Sequence, residues 1–143
     1  MDTIIENSCG ENLDYTFSPG EHALLCRGWI VILGHGVTGD KDRPLITDTA
    51  QALNEAGFDT LRFSFAGNGA SGGDFRDASI TKEVADLDAV ITAVCSSYPN
   101  ICYIGHSMGA AVGVTQAAQD KRIDVLVSLA GMVNTKAFAE TEF

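Results

Sequence analysis

At 143 residues the chain is one domain's worth, and its formal net charge of −10, with 9 scattered basic residues, excludes a phosphate-backbone partner. An apolar share of 45% and a charged share of 20% are those of a soluble globular protein, and no apolar run reaches bilayer length. The start, Met1-Asp2-Thr3-Ile4-Ile5-Glu6, lacks the basic and hydrophobic regions of a signal peptide, so a cytoplasmic location is expected.

Ile4-Ile5-Glu6-Asn7 and Leu13-Asp14-Tyr15-Thr16-Phe17 are strand-like runs separated by the turn-rich Ser8 to Asn12, which predicts an N-terminal β-hairpin. Trp29-Ile30-Val31-Ile32-Leu33 is a continuous apolar run, the mark of a strand buried on both faces, and it stops at the flexible Gly34-His35-Gly36-Val37-Thr38-Gly39. Pro44 suits a helix start; Ile46, Ala50, Leu53 and Ala56 share one helical face before Gly57 stops it. Phe58 to Phe65 reads as the next strand, again followed by a glycine-rich loop, Ala66 to Asp74.

From Ser79 the pattern is helical, with Ile80, Val84, Leu87, Ile91 and Val94 as the apolar stripe and Glu83, Asp86 and Asp88 off it. Pro99-Asn100 breaks this helix before the apolar run that ends at Gly105. After Ser107, the small residues Gly109, Ala110, Ala111, Gly113, Ala117 and Ala118 suit a helix lying close to a sheet. Ile123 to Ala130 reads as one more buried strand, and 131–143 carries no assignment. Strands alternating with single helices imply an α/β fold, a mostly parallel sheet with helices on both faces and right-handed crossovers.

The four cysteines, Cys9, Cys26, Cys95 and Cys102, form no C-x-x-C pair and have no histidine at ligand spacing, so reduced thiols are expected, with no metal and no cofactor. Cys95 and Cys102 read as buried. Gly67-Asn68-Gly69-Ala70-Ser71-Gly72 fits the dinucleotide-binding spacing, but its third glycine opens no helix, and Asp86 and Asp88 fall mid-helix rather than at a strand end. That reading is set aside.

Gly105-His106-Ser107-Met108-Gly109 has the spacing G-x-S-x-G, between a buried strand and a helix. A serine at such a turn is lifted out of the sheet, with the Met108 amide and the first helical turn aimed beside it. In a parallel sheet, ligands bind outside the carboxyl ends of the strands, and three loops here leave such ends: Gly34 to Asp40, Ala66 to Asp74, and the turn at Ser107.

These three segments, in this order, resemble the α/β-hydrolase superfamily, most closely its branch of serine aminopeptidase-like proteins, acylglycerol lipases and carboxylesterases. The resemblance implies that Ser107 is the acyl-accepting nucleophile and that the main-chain amides of Val37 and Met108 form the oxyanion hole. Each such donor is worth about 2.7–4 kcal/mol of barrier. It places His35, Gly36 and His106 on the site rim. Where the family commonly has Asp, Arg and His in the middle loop, this chain has Ser64, Ala66 and Asn68.

In this fold the acid and histidine follow the serine, yet His22, His35 and His106 all precede Ser107. Asp120, Asp124, Glu140 and Glu142 do follow it, the first two at a helix end and a strand start. Residues 1–143 therefore read as a single, incomplete α/β-hydrolase domain, its N-terminal half. The expected function is a serine hydrolase of small carboxylic esters, less readily of amides or peptides, whose acid and base lie outside this chain. The alternative is a non-catalytic fragment or partner-binding module. A strand at 123–130 would form an apolar sheet edge, so self-association or pairing with a complementary chain is expected there.

Overall fold

The computed structural model describes residues 3–22 and 24–142, with the backbone alone of Glu142. The elements run β1 (Tyr15–Ser18), β2 (Trp29–Gly34), α1 (Pro44–Glu55), β3 (Asp59–Phe63), a short 3-10 turn (Phe75–Asp77), α2 (Ile80–Val94), β4 (Asn100–His106), α3 (Met108–Ala117), β5 (Val125–Leu129) and α4 (Thr135–Glu142). They build a five-stranded sheet in the order β1-β3-β2-β4-β5, parallel except for β1 against β3.

The continuous apolar run of β2 is explained by its central place. Ile30 and Ile32 pack on one side with Leu61, Phe63, Leu87, Ile91, Tyr103 and Val112. Val31 and Leu33 pack on the other with Ile46, Ala50, Cys102 and Ile104. The period-2 alternation of strand side chains thus serves two cores, one under α2 and α3 and one under α1. Each fully buried aliphatic side chain contributes about 1.5–3 kcal/mol to this arrangement.

Register sets the site. Gly34, the last residue of β2, lies opposite Phe63 of β3 and Gly105 of β4. The three strands therefore end level, and the loops that follow them leave from one line. The helix starts behave as read: Pro44 stands at the first turn of α1, and the Ser79 hydroxyl caps α2 by accepting from the Lys82 amide at 3.2 Å.

The N-terminal strand pair is present as an antiparallel bridge, Glu6 to Asn12, and the chain continues into β1 at Tyr15, where it adds to β3. Four readings need adjustment. Glu83 and Asp86 do not lie on a solvated face of α2 but are buried with Leu87, Val90, Ile91 and Val94, while Ile80 and Val84 are half-buried. β5 is half-exposed, not buried, because it ends the sheet, and Cys95 is half-buried while Cys102 is buried. The unassigned tail contains α4.

Candidate active site

Ser107 sits between the end of β4 and the start of α3 with φ 52° and ψ −114°. A non-glycine residue in this region carries strain of about 1–3 kcal/mol and persists only where its surroundings hold it. They do so from β5: the Ser107 amide donates to the Leu129 carbonyl at 2.9 Å, and its own carbonyl accepts from Met132 at 3.1 Å and Ala110 at 3.1 Å. The hydroxyl does not cap the helix and has no hydrogen-bond partner among the described residues.

Gly109 makes this turn possible, since a β-carbon there would stand 2.5 Å from the carbonyl oxygen of His35. The start of α3 therefore rests directly on the β2 backbone. Gly36 approaches from the other loop, where an added β-carbon would lie 3.1 Å from Cβ of Ser107 and 3.2 Å from Nδ1 of His106. Gly36 and His106 thus stand beside the serine.

His35 also lines the cavity that contains Ser107, but from beneath, and is 1% exposed. Its Nδ1 lies 2.7 Å from the Gly36 carbonyl, and its Nε2 accepts the Phe65 amide at 3.0 Å. These partners require the neutral tautomer with the proton on Nδ1. Burial holds its pKa below the ordinary value. His35 is therefore a brace between the loops after β2 and β3.

The loop after β3 spends its own amides. Gly67 donates to Gly72, Asn68 to Phe65, Ser71 to Asn68 and Gly72 to Asn12, so four of the six amides of that G-x-G-x-x-G are engaged within the fold. Ser64 holds the neighbouring loop by accepting the Lys41 amide at 3.1 Å, and the Ala66 amide donates to Oδ2 of Asp86 at 2.8 Å.

Val37 and Met108 both line a cavity of about 390 Å³, with Phe75, Ile80, Glu83, Met132 and Phe138 among its other walls. Val37 also lines the adjoining cavity, again about 390 Å³, that contains Ser107 and His106. Neither the Val37 nor the Met108 amide donates to an acceptor among the described residues. Ser107, whose hydroxyl has no partner among the described residues, and Val37 and Met108, whose amides have no acceptor there, thus line two hollows that share Val37 and Phe138 at the sheet's carboxyl rim.

Of the downstream acids, Asp120 is engaged by Arg122, which holds its carboxyl down at about 2, and Asp124 accepts the Ile101 amide at 2.8 Å. Glu140 is exposed on α4, 3.8 Å from Lys136, and the side chain of Glu142 lies outside the described residues. No group of three or more potential metal ligands occurs among the described residues, and no helix there is long and apolar enough to cross a membrane.

Sequence reasoning missed Glu83, the acid on the wall of the first cavity. The signal was present, because Glu83 stands three residues after Ile80 and four before Leu87, on the stripe that helical periodicity buries.

The family model for serine aminopeptidase, S33, matches residues 27–141. The chain belongs to this family. As a member of the serine aminopeptidase S33 family it shares its fold with solved α/β hydrolases. Est1E of Butyrivibrio proteoclasticus, solved with ferulic acid, is 26% identical with a TM-score of 0.78, over 87% of this chain and 50% of that one. An α/β serine hydrolase homologue from Coxiella burnetii is 28% identical with a TM-score of 0.80, over 97% and 66%. An uncharacterised 31.7 kDa protein of Escherichia coli, from the traX-finO intergenic region, is 30% identical over 129 residues, 87% of this chain and 44% of that protein. The chain thus spans about half the length of the curated relatives it matches.

Proposed function

We propose that this chain carries the nucleophile and oxyanion-binding half of a serine hydrolase acting on carboxylic esters. Ser107 Oγ attacks the ester carbonyl carbon, its proton passes to a general base, and the carbonyl oxygen takes up negative charge. That oxygen is received by the Val37 and Met108 amides. Collapse of the tetrahedral intermediate breaks the carbon–oxygen bond to the alcohol, which leaves with the proton, and an acyl-serine remains for water to cleave.

The observation that carries this reading is the strained backbone of Ser107, φ 52° and ψ −114°, held by Leu129 and Met132 while the hydroxyl stays unpartnered. A turn that only joined a strand to a helix would have no use for that strain. Ferulic acid, bound to the similar Est1E, is a carboxylic acid, the product class that an ester hydrolase releases. The acid and base are assigned to residues outside these 143, since the histidines present are His22, His35 and His106, and His35 is spent on the fold.

A second reading is a non-catalytic partner-binding domain with the family's frame, in which His35 serves the fold alone. A fluorophosphonate probe separates the two. Labelling that is lost in Ser107→Ala supports the hydrolase; no labelling of folded protein that carries this chain together with the residues supplying the acid and base overturns it.

A further inference from the structure

Two carboxyls lie one turn apart on the buried face of α2, and they are used differently. Asp86 accepts from Asn7 Nδ2 at 2.6 Å and from the Ala66 amide at 2.8 Å, so it is consumed in holding the loop after β3. Glu83, 1% exposed, has no hydrogen-bond partner for either oxygen among the described residues, and it lines the cavity that Val37 and Met108 share. A buried carboxylate without a partner costs several kcal/mol, so this side chain is held neutral, its pKa pushed up to about 8 by burial and by Asp86.

Neighbouring cations relieve it only in part, through the charge of Lys82. Lys82 is turned to Glu11 at 2.9 Å, and Arg76, on the same cavity, is exposed and paired with Asp74. Around Glu83 the cavity walls are Phe75, Ile80, Met108, Met132 and Phe138. A neutral carboxyl in such a setting has one donor and free acceptor positions, the complement of a hydroxyl, which accepts one hydrogen bond and donates another. During acyl transfer the alcohol leaves, whereas the acyl group stays beside the Val37 and Met108 amides through both halves of the reaction.

We propose that this cavity receives the acyl chain and that Glu83 selects an apolar chain bearing a hydroxyl group. The inference rests on the reading of Ser107 given above for the word acyl, but the cavity and its unpaired carboxyl stand without it.

The test uses the 143-residue chain with two probes, hexanamide and its ω-hydroxy derivative, titrated by calorimetry. The hydroxylated amide is expected to bind about tenfold more tightly, the worth of one hydrogen bond to a buried group. Glu83→Leu abolishes this preference, and Glu83→Gln, which keeps a donor and an acceptor, retains it. Equal affinity for the two amides in the wild type, or a preference that survives Glu83→Leu, overturns the proposal. Should Glu83→Leu fail to fold, the 13C resonance of the wild-type Glu83 carboxyl decides: a shift on adding the hydroxylated amide, absent with hexanamide, supports the proposal, and no shift overturns it. Fluorophosphonate labelling of Ser107 without a hydroxyl preference defeats this inference alone. A hydroxyl preference without labelling of the protein that also carries the acid and base defeats the hydrolase reading and leaves the hydroxyl-binding cavity.

Discussion

The backbone amide of Phe65 donates to Nε2 of His35 at 3.0 Å, joining the loop after β3 to the loop after β2 from inside the protein. The rings also meet edge to face, with centroids 5.0 Å apart. Replacing His35 by Phe keeps an aromatic ring but leaves a buried amide without an acceptor. The expected loss is on the order of 1–3 kcal/mol, read as a lowered urea midpoint. The wild type is expected to lose stability as pH falls below about 6.5, because the unfolded histidine takes up a proton that the folded one resists. His35→Phe flattens that acid limb.

Strain at position 107 leads to a contrast between two inactive variants. Glycine accepts φ 52° freely and alanine does not. Ser107→Gly is therefore expected to be more stable than Ser107→Ala by about 1 kcal/mol in denaturant unfolding, while both lose probe labelling.

Gly109 faces an unyielding neighbour, the backbone carbonyl of His35. Gly109→Ala is expected to destabilise by about 1–3 kcal/mol through overpacking, despite the better helix propensity of alanine. Serine labelling should slow as well, since any relief pushes the start of α3 away from Val37. A thermal melt with a labelling time course checks both.

Glu83 and its neighbours give a pH dependence of opposite sign to that of His35. Below about 4.5 the residue is protonated in both states; between there and about 8 the folded protein keeps the proton and the unfolded chain does not. Stability is thus expected to fall as pH rises through that window. Asp86, also raised by burial, adds in the same direction, and Lys82 opposes it. Subtracting the pH profile of Glu83→Gln from that of the wild type isolates the Glu83 contribution, and a flat difference would show that the carboxyl is not held neutral.

β5 ends the sheet, and Val125 on it is 41% exposed. We propose that this edge pairs with a second copy of the chain through its unpaired backbone groups. Sedimentation velocity across a concentration series should show reversible association, weakened by Val125→Lys. A monomer throughout would count against it.

Much of this arrangement was legible in the order of residues. The all-apolar run of β2 belongs to a strand with a core on each side, Pro44 and Ser79 stand at helix starts, and the spacing of Gly105, Ser107 and Gly109 encodes a turn that larger residues would block. Such features follow from local sterics and periodicity, which the chain carries residue by residue. Tertiary structure decided the rest. It put His35 under the rim as a brace and buried Glu83 unpaired while its neighbour Asp86 found two partners; it paired β1 with β3 and left β5 half-exposed at an edge. Each of these depends on which distant groups arrive at the same place, and the spacing of residues along a chain does not encode that.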